Sequence, residues 1–188
     1  MLPHAVMVGR DKMLVPRKVM LRVLILTILF VPAMVTADEA YDDVSEIINK
    51  ALPTGNFEHK LWYEAARKLK LPLESNRAWA RYYASFLYTY GAGGYEQNYE
   101  KADEMGLSAA HEGFLPAMED RARRNEYGLS GTIDFEKALM WYEKAALAGS
   151  RSAAARLEEV YLFGELGQKV DKVKAAKWNG IKGECGQP

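Results

Sequence analysis

Ala138, Trp141, Tyr142, Ala145 and Ala146 recur at three- and four-residue spacing, which draws one apolar stripe along a helix. Asp134 stands where its carboxylate can cap the start of that helix, and Gly149 stands where a glycine ends one, so the pattern predicts a helix from Phe135 to Ala148. A second stripe of Ala153, Leu157, Val160 and Tyr161 predicts a helix from about Arg151 to Phe163, with Gly164 to Gly167 forming the turn out of it. The alanines let neighbouring helices approach closely while Trp and Tyr fill the gaps between them.

This helix pair repeats. A shift of 36 residues places Tyr99-Glu100-Lys101-Ala102 on Phe135-Glu136-Lys137-Ala138, Ala109-Ala110 on Ala145-Ala146, Gly113 on Gly149, Ala117 on Ala153, and Gly128 and Gly131 on Gly164 and Gly167. With one residue more, Ala138 and Trp141 fall on Ala175 and Trp178, and Ala80, Gly91 and Gly94 fall on Ala117, Gly128 and Gly131. A helix pair of this kind cannot bury its stripe alone, so the units must stack continuously. The expected architecture is all-α, with about eight helices in about four pairs.

The first 37 residues break the pattern. Arg10, Lys12, Arg17, Lys18 and Arg22 precede an apolar run from Val23 to Val35, then Val35-Thr36-Ala37 and acidic Asp38-Glu39. This is the order of a secretory signal, and its run of about 13 apolar residues is shorter than the roughly 20 that span a bilayer. Residues 1–37 are therefore expected to be a cleaved signal peptide, with translation beginning at Met13 or Met20. The repeat body is expected at 38–182 and a short tail at 183–188.

The chain has 188 residues and a formal charge of +0, which excludes a whole-protein basic field for nucleic acid. Without residues 1–37 it keeps 20 Lys and Arg against 24 Asp and Glu, a charge of −4. A mildly acidic exported chain with one cysteine points to a bacterial periplasm, because small extracellular domains are usually stapled by disulfides. Contact with a membrane is expected only during export. His4, His59 and His111 are scattered, and no cofactor or metal is expected. Cys185 reads as an unreactive tail thiol or as one half of an intermolecular disulfide. Ser130 reads as a turn residue, since no base is placed beside it.

The spacing of Ala153, Leu157, Tyr161, Gly164 and Gly167, with Asp134, Phe135, Lys137, Ala138, Trp141, Tyr142, Ala145, Ala146 and Gly149, resembles the Sel1-like repeat, a relative of the tetratricopeptide repeat. The likeness is close from Ala80 to Trp178 and looser from Ala40 to Leu73, where Trp62-Tyr63-Glu64-Ala65-Ala66 echoes Trp141-Tyr142-Glu143-Lys144-Ala145. It implies a right-handed α/α solenoid of about four units, the first degenerate and the last truncated, and it implies no catalytic residue. The paired cysteines of secreted members credited with penicillin binding are absent, which removes the support for an enzyme of that kind.

The departures from the repeat supply the candidate site. Arg121, Ala122 and Asn125 stand where the first helix of a unit should carry Leu, Gly and Tyr, and Met105-Gly106 replaces the Trp-Tyr pair. Tyr82 and Tyr88 match core positions, whereas Tyr83, Tyr90 and Tyr95 are surplus aromatics. Tyr and Arg dominate protein-recognition surfaces. Tyr83, Tyr90, Tyr95, Arg121, Arg124 and Asn125 are therefore the expected partner-binding set, on one continuous surface. Exported proteins of this resemblance include immunity proteins that neutralise membrane-attacking lipase effectors. The expected function is non-enzymatic binding of another protein of that secreted-toxin class, the alternatives being an envelope signalling adaptor and a cell-wall-active enzyme.

Overall fold

The computed structural model describes residues 40–129 and 131–184. Residues 1–37 with the expected signal, Ser130 and Cys185 lie outside the described residues. The described chain consists of eight α-helices with no strand: α1 (40–51), α2 (Lys60–Glu74), α3 (Ala78–Tyr90), α4 (Tyr99–His111), α5 (Leu115–Tyr127), α6 (Phe135–Leu147), α7 (Arg151–Phe163) and α8 (Lys172–Glu184). The expected all-α stack of about eight helices is thus present, and each helix from α2 onward packs on the next along the chain, with the helix pair expected from the sequence seen as α6–α7. α7 has the bounds that its stripe predicts, and α8 continues two residues past the expected end of the repeat body at 182.

The repeat register follows from paired stop and start signals. Gly91, Gly128 and Gly164 end α3, α5 and α7 with φ of 62°, 67° and 73°, a left-handed conformation that glycine adopts without a Cβ clash. After each turn a short polar side chain restarts the backbone: Asn98 and Asp134 accept from the Lys101 and Lys137 N–H at 2.9 Å, and Asp171 accepts from the Val173 and Lys174 N–H at 3.0 Å. The other connections, between α2 and α3, α4 and α5, and α6 and α7, are three residues long. The stack therefore has a long-turn end and a short-turn end.

One core runs through the stack. Trp62, Leu69, Leu87, Ala109, Ala138, Trp141, Leu157, Val160 and Trp178 are all buried in it. α8 departs from the earlier units by a polar substitution. Asn179 and Lys182 occupy the positions of Tyr142 and Ala145, and both reach Glu158 of α7 at 2.5 Å.

Candidate binding surface

The expected partner-binding residues do not share one surface. Tyr83 is buried, 7% exposed, under Tyr41 of α1 and beside Trp79 and Tyr82. Burial, and then the neighbouring Tyr41, push its phenol up to about 12. Tyr90 stacks face to face on Phe57, with ring centroids 4.5 Å apart. Tyr95 packs edge-on against Tyr88 at 4.9 Å, and Lys101 lies over the Tyr88 ring. Asn125 turns back on its own helix, donating to the Arg121 carbonyl at 2.7 Å. These four residues therefore meet other parts of the chain in four separate places.

Arg121 has a structural explanation that joins two departures from the repeat. Its guanidinium, 7% exposed, reaches the Asp103 carboxylate at 2.6 Å and also the Asp103 carbonyl. The room for it comes from Gly106, whose added Cβ would lie 3.9 Å from Arg121 Nη2. In the next unit the same two places hold Tyr142 and Leu157. A large-plus-medium apolar pair has been exchanged for a glycine plus an arginine with its own carboxylate. The exchange preserves packing, and the arginine stem supplies apolar area.

Glu126 is a second buried charge, 5% exposed. It accepts from Tyr142 Oη at 2.6 Å and from Arg156 Nη2 at 2.6 Å, and Arg156 also reaches Glu165 at 2.5 Å. Burial acts to raise the Glu126 pKa, but the hydrogen bonds from Arg156 and Tyr142 outweigh it and hold the carboxyl below its usual range. Burial and the adjacent carboxylate raise the Tyr142 phenol. This network ties α5, α6 and α7 together. Its polar groups face one another, as folding requires of buried charge.

Arg124 lines a groove. The groove, of about 380 Å³, lies between the ends of α3, α4 and α5 and is bounded by Thr89, Tyr99, Glu100, Asp103, Arg124 and Leu129. Arg124 Nε donates to Asp120 at 2.5 Å across one turn of α5. Burial acts to lower its pKa, but Asp120 outweighs that and raises it.

Exposed apolar side chains gather around the same long-turn end. Tyr99, Tyr127, Leu129 and Ile133 are 60–66% exposed, and Phe135 is 41% exposed. Further along the same end, Phe163, Val170 and Val173 are 59–82% exposed. The short-turn end offers Leu71 and Leu147, and is otherwise built from capping and pairing groups: Ser150 Oγ accepts from the Ala153 N–H and donates to Glu119, and Arg81 pairs with Glu112. Sequence reasoning missed Tyr127, Leu129 and Ile133. Their signal is available, since large apolar residues stand in or beside a glycine turn where the helix stripe has no use for them.

His59 caps α2 through Nδ1, which accepts from the Leu61 N–H at 3.3 Å, and His111 lies edge-on to Trp141. Among the described residues no three His, Cys, Asp or Glu side chains converge as metal ligands do. No described helix is long and apolar enough to cross a membrane.

No family model matches the chain, and no curated protein matches it in sequence. Solved structures do match. A Sel1 repeat protein from Oxalobacter formigenes is similar with a TM-score of 0.57 and 22% identity, covering 66% of this chain and 50% of that one. The c5321 protein, a protective antigen present in uropathogenic Escherichia coli strains and displaying an SLR fold, is similar with a TM-score of 0.54 and 24% identity, covering 67% of this chain and 27% of that one. The chain therefore has the Sel1-like repeat fold, as the spacing of its repeat implied. It spans half the length of the first of these proteins and about a quarter of the second.

Proposed function

We propose that this chain is an exported, non-catalytic solenoid that binds another protein through the groove and the apolar side chains around it at the α3–α4 and α5–α6 turns. The observation that carries this reading is the distribution of exposed apolar residues. Tyr99, Tyr127, Leu129, Ile133 and Phe135 stand at one end of two adjacent units and keep much of their surface exposed, Ile133 while also packing on the Gly128 turn. Contiguous exposed apolar area rimmed by charge marks interaction sites on soluble proteins. The buried charges Arg121 and Glu126 are engaged inside the fold with Asp103 and Arg156.

Within this reading the partner is a secreted effector of the membrane-attacking lipase class, and the chain acts as its immunity protein in the periplasm. The signal-like first 37 residues and the Sel1-like fold support that assignment. The test is survival. Cells producing the full chain, challenged by a competitor that delivers such a lipase, are expected to survive. The Tyr127→Ser/Leu129→Ser variant, produced at the same level, is expected to lose protection. Equal killing with and without the wild-type chain would remove the immunity assignment, and nitrocefin or peptidoglycan turnover by the purified protein would remove the non-catalytic one.

A further inference from the structure

The α7–α8 turn carries something that its equivalent between α5 and α6 does not. Both expose apolar side chains, but the α7–α8 turn alternates them with lysines in the run Lys169-Val170-Asp171-Lys172-Val173-Lys174. Val173 is 82% exposed, Phe163 69% and Val170 59%, the exposures of a projecting tip, and Lys169, Lys172 and Lys174 are exposed beside them.

The acids at this tip are already engaged. Asp171 caps α8, accepting from the Val173 and Lys174 N–H at 3.0 Å, and Glu165 is held by Arg156 at 2.5 Å. Asp171 keeps its charge while capping, but Lys169, Lys172 and Lys174 outnumber it, so the run carries a formal +2. The tip is also tied to the end of α7: the Asp171 N–H donates to the Tyr161 carbonyl at 2.8 Å, and Lys174 Nζ lies 4.9 Å from the centre of the Tyr161 ring. Val170 lies against Gly164, where an added Cβ would come 3.3 Å from its methyl, so it sits beside Phe163. In the α5–α6 turn Asp134 and Glu136 face a single lysine, Lys137, which pairs with Asp134 at 2.8 Å. Of these two turns, the α7–α8 tip is the one that couples exposed apolar groups to a surplus of cations.

We propose that the α7–α8 tip docks on an anionic phospholipid surface, with Phe163, Val170 and Val173 entering the headgroup boundary and Lys169, Lys172 and Lys174 meeting lipid phosphates. A projecting tip suits a flat, yielding surface, where apolar burial and electrostatic attraction add. The reading is independent of the protein-binding groove, and it extends membrane contact beyond export.

The test uses the full chain carrying Cys185→Ser, with an environment-sensitive fluorophore on Val173→Cys or, as the control at the short-turn end, on Leu147→Cys. Phosphatidylcholine vesicles containing phosphatidylglycerol should shift the label at 173 to the blue and leave that at 147 unchanged. Pure phosphatidylcholine should shift neither, and high salt should reverse the response. Lys169→Gln/Lys172→Gln/Lys174→Gln should raise the lipid needed for half of the shift by on the order of a hundredfold, from the attraction that each lysine adds. A label at 173 that stays in water on anionic vesicles would overturn the proposal, leaving an acidic protein as the tip's partner. Equal responses at 173 and 147, or a triple variant that binds as wild type does, would overturn it as well, by placing the lipid contact elsewhere in the chain.

Discussion

The two ends of the helix stack are made by the same repeat, yet they are used in opposite ways. At the short-turn end, Ser150 caps α7, Glu119 joins the Ser150 and Ser152 hydroxyls, Arg81 pairs with Glu112, and Gly149 takes a φ of 102° to turn the chain. At the long-turn end the glycines and the Asn98, Asp134 and Asp171 caps do the same work, but Tyr127, Leu129, Ile133, Phe163, Val170 and Val173 project beyond it. Ile133 and Val170 also pack on Gly128 and Gly164, yet all six keep more than half of their surface exposed and so available to a partner. The difference teaches that function in this chain is to be sought in the turns, outside the helical stripes.

The largest expected effects belong to the interior that both ends share. Trp141→Ala should cost about 3–5 kcal/mol by leaving a large cavity, measured by urea unfolding. Arg121→Ala should cost about 2–3 kcal/mol, because it removes a packed stem and leaves a cavity, while Asp103, 45% exposed, is rehydrated. Gly106→Tyr alone should be comparably damaging, since the ring would meet the Arg121 guanidinium. Gly106→Tyr/Arg121→Leu, which recreates the neighbouring unit, should recover most of the loss. Additive single costs in that cycle would show that the two departures are unrelated.

The next effect separates the ends. Gly149→Val should cost about 1–3 kcal/mol, because a β-branched residue is strained at that φ. No added Cβ would meet an atom within 4 Å there, so the cost is one of backbone conformation. Beneath the long-turn end, Glu126 gives a smaller and pH-dependent effect. Its folded pKa lies below its unfolded one, so its stabilisation is complete above the ordinary carboxylate range and fades as pH falls through the lowered value. Glu126→Gln should be less stable than wild type at neutral pH and should lose less on acidification. Parallel pH profiles would contradict the pairing with Arg156.

How much of this was legible in the sequence depends on whether one helix or several had to be read together. The repeat register, the bounds of α7 and the Asp134 cap came directly from periodicity, because each is a local signal. The burial of Tyr83 did not, since it is covered by Tyr41 from α1, in the unit where the repeat is most degenerate. Arg121 looked like a retuned surface because its explanation lies in Asp103 and Gly106, one helix earlier. Tyr90 looked surplus because Phe57, which stacks on it, stands in an irregular turn. Leu129 and Ile133 were missed because a helix-period pattern says nothing about residues between helices.

The smallest expected effect on stability is the one that bears most on function. Leu129→Ser and Ile133→Ser, at exposures of 65% and 60%, should each change stability by less than about 0.5 kcal/mol, as surface substitutions usually do. Ligand contact at this end is tested most directly by a photo-crosslinking amino acid placed at Leu129 and, separately, at Leu147 in cells producing the full chain with its partner present. The account predicts one discrete protein adduct from position 129 and none from position 147. An adduct from 147 alone, or from neither position, would contradict it.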